Sequence, residues 1–214
     1  MAEYIELGHA NMVDKEEREE RSPKRWFLPH HRVRNPNKPG KTPVVFDAAA
    51  EHQGVSLYKC LLKGHDLLIN LFAVLIRFRR YHVPVIGDII KMFHQVRLKK
   101  QERSTFNFFW RTLGCQSGPE IFQMAVHIFG AVSSPTTCMF ALNRCAEDHR
   151  HEFPDDADLV RSAFYVDNYL DSTETEIEAI ERCKALHKML QLGGFELAQL
   201  TNSGPGGEGN IYHG

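Results

Sequence analysis

No run of apolar residues in this chain is long enough to cross a bilayer. The most apolar stretch, LLINLFAVLI at 67–76, is ten residues long and contains Asn70, whereas a spanning helix needs about 20. It reads as a buried helix, and no membrane partner is expected. The first thirty residues are dominated by charge and lack an apolar h-region. No secretory leader is therefore expected, and the chain is placed inside the cell, cytoplasmic or nuclear. The five cysteines, Cys60, Cys115, Cys138, Cys145 and Cys183, are odd in number and fall in no pairs. That fits reduced thiols better than a disulfide framework. A Gly-x-Ser-x-Gly elbow is missing too, which leaves Ser133 and Ser134 without hydrolase context. PGKT at 39–42 fails as a P-loop, because the required earlier glycine would be at position 35, where the chain has Asn35. No internal repeat is visible.

Net charge is also nearly absent, at −1 over 214 residues. That balance hides a division. Residues 1–110 carry 19 Lys and Arg against 12 Asp and Glu, and residues 111–214 carry 7 against 15. A basic half suits a polyanion and an acidic half suits cations. The basic excess is concentrated in Arg21, Lys24, Arg25, Arg32, Arg34, Lys38 and Lys41, with Trp26, Phe27, His30 and His31 interleaved. Cations that neutralise phosphates beside aromatics that stack on bases make a nucleic-acid arm. A solvated loop ahead of a strand fits the same composition.

Along the chain, residues 14–25 read as a solvated helix end or linker, and Val44 to Phe46 as a short strand. Leu67, Leu68, Leu71, Phe72, Leu75 and Ile76 trace one apolar face of a helix over 66–79. VPVIGDI at 83–89 is a β-branched run that reads as a buried strand ending near Asp88, and strands are expected at 104–110 and 121–127. Residues 136–150 are helical by spacing, with Ser134 as cap and Pro135 in the first turn. FYVDNYLDS at 164–172 reads as a hairpin with Asp167 and Asn168 at its tip. Thr173 and Glu176 fit a capping box for a helix ended by Gly193 and Gly194, and FELAQL at 195–200 reads as a last strand.

Setting aside the insertion after the first strand, the order is β-α-β-β-α-β, an α+β chain of the ferredoxin-like, split βαβ kind. In that arrangement the strand ending at Asp88 lies beside the hairpin that carries Asp167. Two converging carboxylates are hard oxygen ligands suited to Mg²⁺, and nucleotidyl transfer uses such ions about 3.5–4 Å apart. The plainer readings are a strand end for Asp88 and a turn for Asp167. Cys138, Cys145 and His149, with His151 nearby, share a helical spacing that matches no usual zinc motif and reads as a buried thiol face. His94 and Gln95 read as local packing.

VIGDIIKMFHQVRL (85–98), VHIFGAVSSP (126–135), FYVDN (164–168) and GGFELAQLTNS (193–203) resemble, in order and spacing, the palm motifs of reverse transcriptases. With WFLPHHRV (26–33) and VVFDAAA (44–50), the chain is similar to the BEL/Pao class of LTR retrotransposons. The resemblance covers about residues 4–202. It implies an RNA-directed DNA polymerase with partial fingers and the basic arm at 1–82, a palm at 83–202 holding a fingers insertion at about 97–125, and a flexible tail at 203–214.

By the same resemblance, Asp88 and Asp167 are the catalytic metal ligands, and the carbonyl of Ile89 supports the second of two Mg²⁺ ions, with Mn²⁺ as a substitute. Phe93 is the aromatic that crowds the incoming sugar, although a core role fits it equally. Gly130 lies against the template, Tyr165 opens the hairpin box, and Lys41 stands near the triphosphate. The implied partners are an RNA or DNA template-primer and a dNTP.

Three positions depart from the family pattern. Asn168 replaces the second hairpin Asp, Pro43 replaces an Arg, and Gln199 replaces a frequent Lys. Each change removes a charge that the reaction uses. The resemblance therefore implies a fragment or decayed copy with impaired or absent activity. A non-catalytic nucleic-acid-binding remnant is the alternative.

Overall fold

The computed structural model describes residues 1–19, 24–33, 43–112, 114–198, 200–202 and 209–212. From the N terminus these run α1 (Ala2–Glu6), β1 (Ala10–Met12), α2 (Lys15–Glu19), β2 (His30–Arg32), β3 (Val44–Phe46), α3 (Leu57–Cys60), α4 (Leu71–Phe78), β4 (Val83–Asp88) and α5 (Met92–Gln95). A 3-10 turn (Lys100–Phe106) leads into β5 (Asn107–Trp110) and β6 (Glu120–Met124). The remainder is α6 (Ser134–Asp148), α7 (Pro154–Ala163), β7 (Phe164–Tyr165), β8 (Asn168–Thr173), α8 (Glu176–Leu192), β9 (Leu200–Asn202) and β10 (Gly209–Tyr212). The chain forms two compact units, Met1–Lys63 with Val96–Ser134, and Gly64–Gln95 with Pro135–Gly214. None of the described helices is long and apolar enough to cross a membrane.

The first unit holds a three-stranded antiparallel sheet of order β1-β6-β5 and the β2-β3 hairpin. Its core is aromatic. Phe108 is fully buried and packs edge-on against Phe46 at 5.1 Å between ring centroids, while Leu28, Phe106, Phe122 and Met124 close around them. Burying a side chain of this size contributes about 1.5–3 kcal/mol.

The second unit is built on a five-stranded sheet of order β10-β9-β4-β8-β7, with every neighbouring pair antiparallel. Helices α4, α7 and α8 pack against this sheet. β4 and β8 run in register over six pairs, from Val83 opposite Thr173 to Asp88 opposite Asn168. Helix α8 begins at an N-cap Thr175, whose hydroxyl accepts from the Glu178 amide. The expected cap at Thr173 is displaced because Thr173 is still in β8, paired with Val83. The expected end holds: the amides of Gly194 and Phe195 donate to the carbonyls of Gln191 and Leu190, with Gly194 at φ +80°. This is a Schellman close, which requires the left-handed residue that glycine supplies.

Three further expectations change, and one helix is additional. The apolar run at 67–76 is neither fully helical nor buried: α4 starts only at Leu71, because the Asn70 side chain caps it by accepting from the Phe72 and Ala73 amides. Val74 is buried, yet Phe72 is 71% and Ile76 56% exposed, since only the Val74 side of the helix meets β7, β8 and α7. Helix α7 went unread, although Pro154 at its first turn followed by Asp155 and Asp156 is a helix-start signal. The last strand falls at 200–202 instead of 195–200, preceded by the bridge of Leu197 to Ile89. The Gly-rich tail, read as flexible, carries β10 antiparallel to β9.

Candidate active site at the β4 end and the β7–β8 hairpin

The hairpin register pairs Phe164 with Tyr169 and Tyr165 with Asn168. The loop residues are therefore Val166 and Asp167, and the expected tip of Asp167 and Asn168 is displaced by one position. Asn168 instead opens β8, opposite both Tyr165 and Asp88. Val166 sits at φ +59° while Asp167 keeps a negative φ. This is the pattern of a type II′ turn, whose first central position normally holds glycine. A β-branched residue in the left-handed region is strained by roughly 1–3 kcal/mol, a cost borne mainly where surrounding structure over-determines the conformation.

Hydrogen bonds on both sides of β4 supply that surrounding structure. The Ile89 amide donates to the Asp167 carbonyl at 2.8 Å, tying the hairpin tip to the residue after Asp88. On the other side, the Ala198 amide donates to the Asp88 carbonyl at 2.6 Å, and the Ile90 amide donates to the Glu196 carbonyl at 2.9 Å. Gln95 completes this clamp. Its side chain donates to the Ile90 carbonyl and accepts from the Glu196 amide. Sequence reasoning assigned Gln95 to local packing; its role becomes visible only when residues about a hundred positions apart are brought together.

Asp88 and Asp167 are close enough for their charges to interact. The Asp88 carboxyl is pushed above its ordinary pKa, first by partial desolvation and then by the Asp167 charge beside it. The Asn168 amide donates to Asp167 Oδ1 at 3.0 Å, so one oxygen of that carboxylate already has a donor. Ile89 is fully buried between the hairpin and Leu197. Tyr165 is half-buried on β7, and Phe93 is half-buried on α5.

Other expected residues lie elsewhere. Gly130 belongs to the first unit, at φ +96°, where an added Cβ would meet the Phe46 carbonyl at 3.2 Å. Lys41 and Gln199 lie outside the described residues, as do Arg21, Arg34 and Lys38 of the basic arm. Pro43 is exposed, and its carbonyl accepts from the Val33 amide beside the β2-β3 ladder.

No group of three or more His, Cys, Asp or Glu side chains is arranged to hold a metal among the described residues. The donor set at the hairpin is thus two carboxylates. Cys138 is fully buried, with its thiol pushed up to about 12 by desolvation. Cys145 donates to the Met189 carbonyl at 3.6 Å, and His149 Nδ1 lies 2.9 Å from the Cys145 carbonyl. A buried protonated thiol is a poor metal ligand.

No family model and no curated protein sequence matches this chain. Among solved structures it is similar to a foamy viral protease-reverse transcriptase dRH in complex with double-stranded DNA. The TM-score is 0.63 at 15% sequence identity, over 97% of this chain and 33% of that one. The fold is accordingly reverse-transcriptase-like, and the chain spans about a third of that neighbour.

Proposed function

We propose that this chain is the fingers and palm of an RNA-directed DNA polymerase of BEL/Pao type, in which Asp88 and Asp167 hold divalent metal. The observation that carries the reading is the juxtaposition of those two carboxylates, set by the Asp88–Asn168 register and the Ile89–Asp167 backbone bond. Further support comes from the antiparallel strand order β9-β4-β8-β7, which a β-α-β-β-α-β palm would have. The reverse-transcriptase-like neighbour, itself bound to double-stranded DNA, has the same general fold. In this reading 1–82 supplies partial fingers and 83–202 the palm, with a fingers insertion at about 97–125.

The residues present fit a hard cation. Asp88 and Asp167 offer carboxylate oxygens that repel one another without a counter-charge, and Mg²⁺ takes such ligands, with the Ile89 carbonyl as a neighbouring donor. When bound, Mg²⁺ supplies charge neutralisation for phosphate oxygens in nucleotidyl transfer. The chain's own contribution is positional. The Gln95 clamp and the strained Val166 turn hold the carboxylates in place, Tyr165 and Phe93 flank them in sequence, and a template-primer and dNTP are the partners.

Asn168 sets the level of activity. An amide brings no negative charge, and here it donates to an oxygen that a cation would need. Weak or absent synthesis by this chain is the expected state. Mg²⁺-dependent primer extension on an RNA template tests the proposal, comparing the chain with Asn168→Asp and Asp88→Ala. Extension in the Asn168→Asp variant that is lost in the Asn168→Asp/Asp88→Ala double variant is the expected result. No extension by any variant, together with unaltered Mg²⁺ affinity in Asn168→Asp, would overturn it.

The bond from Asn168 to Asp167 also favours a second reading, a non-catalytic nucleic-acid-binding remnant. It expects primer-template affinity that falls steeply with salt and is indifferent to Asp88→Ala.

A further inference from the structure

The first unit contains a cavity of about 500 Å³ walled by α2, the segment from Lys24 to Phe27, the turn before β5, and β6. That volume is typical of small-molecule sites, which run from about 300 to 1,000 Å³. Its lining divides by chemistry. Among the described residues that line it, Arg18, Lys24, Arg25 and Lys100 bring four cations and Glu17 one carboxylate, while Arg18 is also paired with Glu120 at 2.5 Å and donates to the Val13 carbonyl at 2.9 Å. Both oxygens of the Glu17 carboxylate are engaged, one by Gln123 at 3.0 Å and one by Lys100 at 3.4 Å. The Arg25 guanidinium donates to the backbone carbonyls of Arg18 and Glu17, which holds it at the wall.

Opposite in character are Val13, Phe27 and Ile121, which form apolar lining. Phe27 is fixed in orientation by stacking on Phe109, at 4.8 Å between centroids and 10° between planes. The third element is a buried amide. Asn107 is 2% exposed and lines the cavity, and its Nδ2 donates to the Ser104 carbonyl at 2.8 Å. Its Oδ1 has no hydrogen-bond partner among the described residues. A buried acceptor left unmatched is destabilising, so a ligand that brings an N–H donor into this cavity gains an advantage over one that does not.

We propose that this cavity binds a mononucleotide, with the phosphate among Arg18, Lys24, Arg25 and Lys100, the planar base along Phe27, and a base N–H donating to Asn107 Oδ1. Each part of that ligand answers one part of the lining. A bare anion would leave Phe27 and Asn107 unused, and an apolar ligand would leave the cations unused. The site shares no residue with the Asp88–Asp167 pair and stands independently of the polymerase reading.

Calorimetric titration of the whole chain with AMP, inorganic phosphate and adenosine, in EDTA and at low salt, tests it. EDTA removes metal-dependent nucleotide binding at the carboxylate pair. Saturable one-to-one binding of AMP, tighter than that of phosphate or adenosine, is expected. Lys24→Gln/Lys100→Gln should weaken AMP roughly tenfold or more, since each lysine supplies a charge-assisted contact to phosphate, and both side chains are exposed enough to replace without disturbing the core. Asn107→Leu should lose the preference for AMP over phosphate, and Asp88→Ala should leave AMP affinity unchanged. The proposal is overturned if AMP does not bind, if phosphate binds as tightly as AMP, if the lysine pair is indifferent, or if only a single-stranded oligonucleotide binds.

Discussion

The side-chain amide of Asn168 donates to Oδ1 of Asp167 at 3.0 Å, at the point where β8 begins opposite Asp88. This one bond ties the chemistry of the hairpin to its sequence, because an Asp at 168 would reverse the contact from donor–acceptor to like-charge.

In the absence of metal, Asn168→Asp should lower stability by about 1 kcal/mol, through repulsion added to the Asp88–Asp167 pair. Millimolar Mg²⁺ should recover it. Thermal denaturation with and without Mg²⁺ checks both effects, and a variant that Mg²⁺ leaves unmoved would mean that the hairpin does not hold a cation.

Val166→Gly should stabilise the chain by about 0.5–1 kcal/mol, the relief of left-handed strain exceeding the added unfolded-state entropy. Urea midpoints measure the change. A loss of stability would show that the Val166 side chain packs more usefully than its φ of +59° costs.

Gly193 closes α8 against α6, where an added Cβ would collide with Cys145 Sγ and fall 2.9 Å from Cys145 Cβ. Overpacking of this kind costs about 1–3 kcal/mol, so Gly193→Ala should destabilise by that amount. Cys145→Ala in the same chain should recover part of the loss, a coupling that a double-mutant cycle reads directly.

Asp171 is buried, accepts from Tyr169 Oη at 3.0 Å, and pairs with Arg182 at 2.6 Å. Arg182→Ala strands that carboxylate and should cost about 3 kcal/mol. Tyr169→Phe removes one neutral donor and should cost nearer 1 kcal/mol. Chemical denaturation that ranked the two variants in the opposite order would contradict this apportioning.

Burial in the first turn of α7 pushes the Asp156 carboxyl up to about 6 from an ordinary 3.8. Between those values the folded chain holds a proton that the unfolded chain has released, so stability falls as pH rises through this window. Asp156→Asn should flatten that slope and leave the chain more stable above pH 6, by on the order of 1 kcal/mol after solvent screening. Melting temperatures from pH 4 to 7 test the sign.

Local signals in the sequence located most elements of the second unit. β-branched residues mark β4, the Gly193–Gly194 pair ends α8, and aromatic residues around Asp167 mark the hairpin. Those signals act over a few residues, through backbone preference and side-chain periodicity, and so survive without tertiary context. They located Asp88 and Asp167 as well, the two carboxylates of the proposed metal site.

What they could not reach was register, because it is decided by ladder bonds between residues far apart in the chain. The shift of the turn from Asp167–Asn168 to Val166–Asp167 follows from Tyr165 pairing with Asn168 while Asn168 pairs with Asp88. Exposure is equally non-local. Phe72 and Ile76 carry the apolar pattern of a buried helix, yet only the Val74 side of α4 meets a neighbour. The cavity at Asn107 joins residues from Val13 to Gln123 that share no motif. Composition and short-range pattern thus determined most elements of the second unit and their acidic residues, whereas the hydrogen-bonded ladders and the packing between distant segments decided which groups face one another.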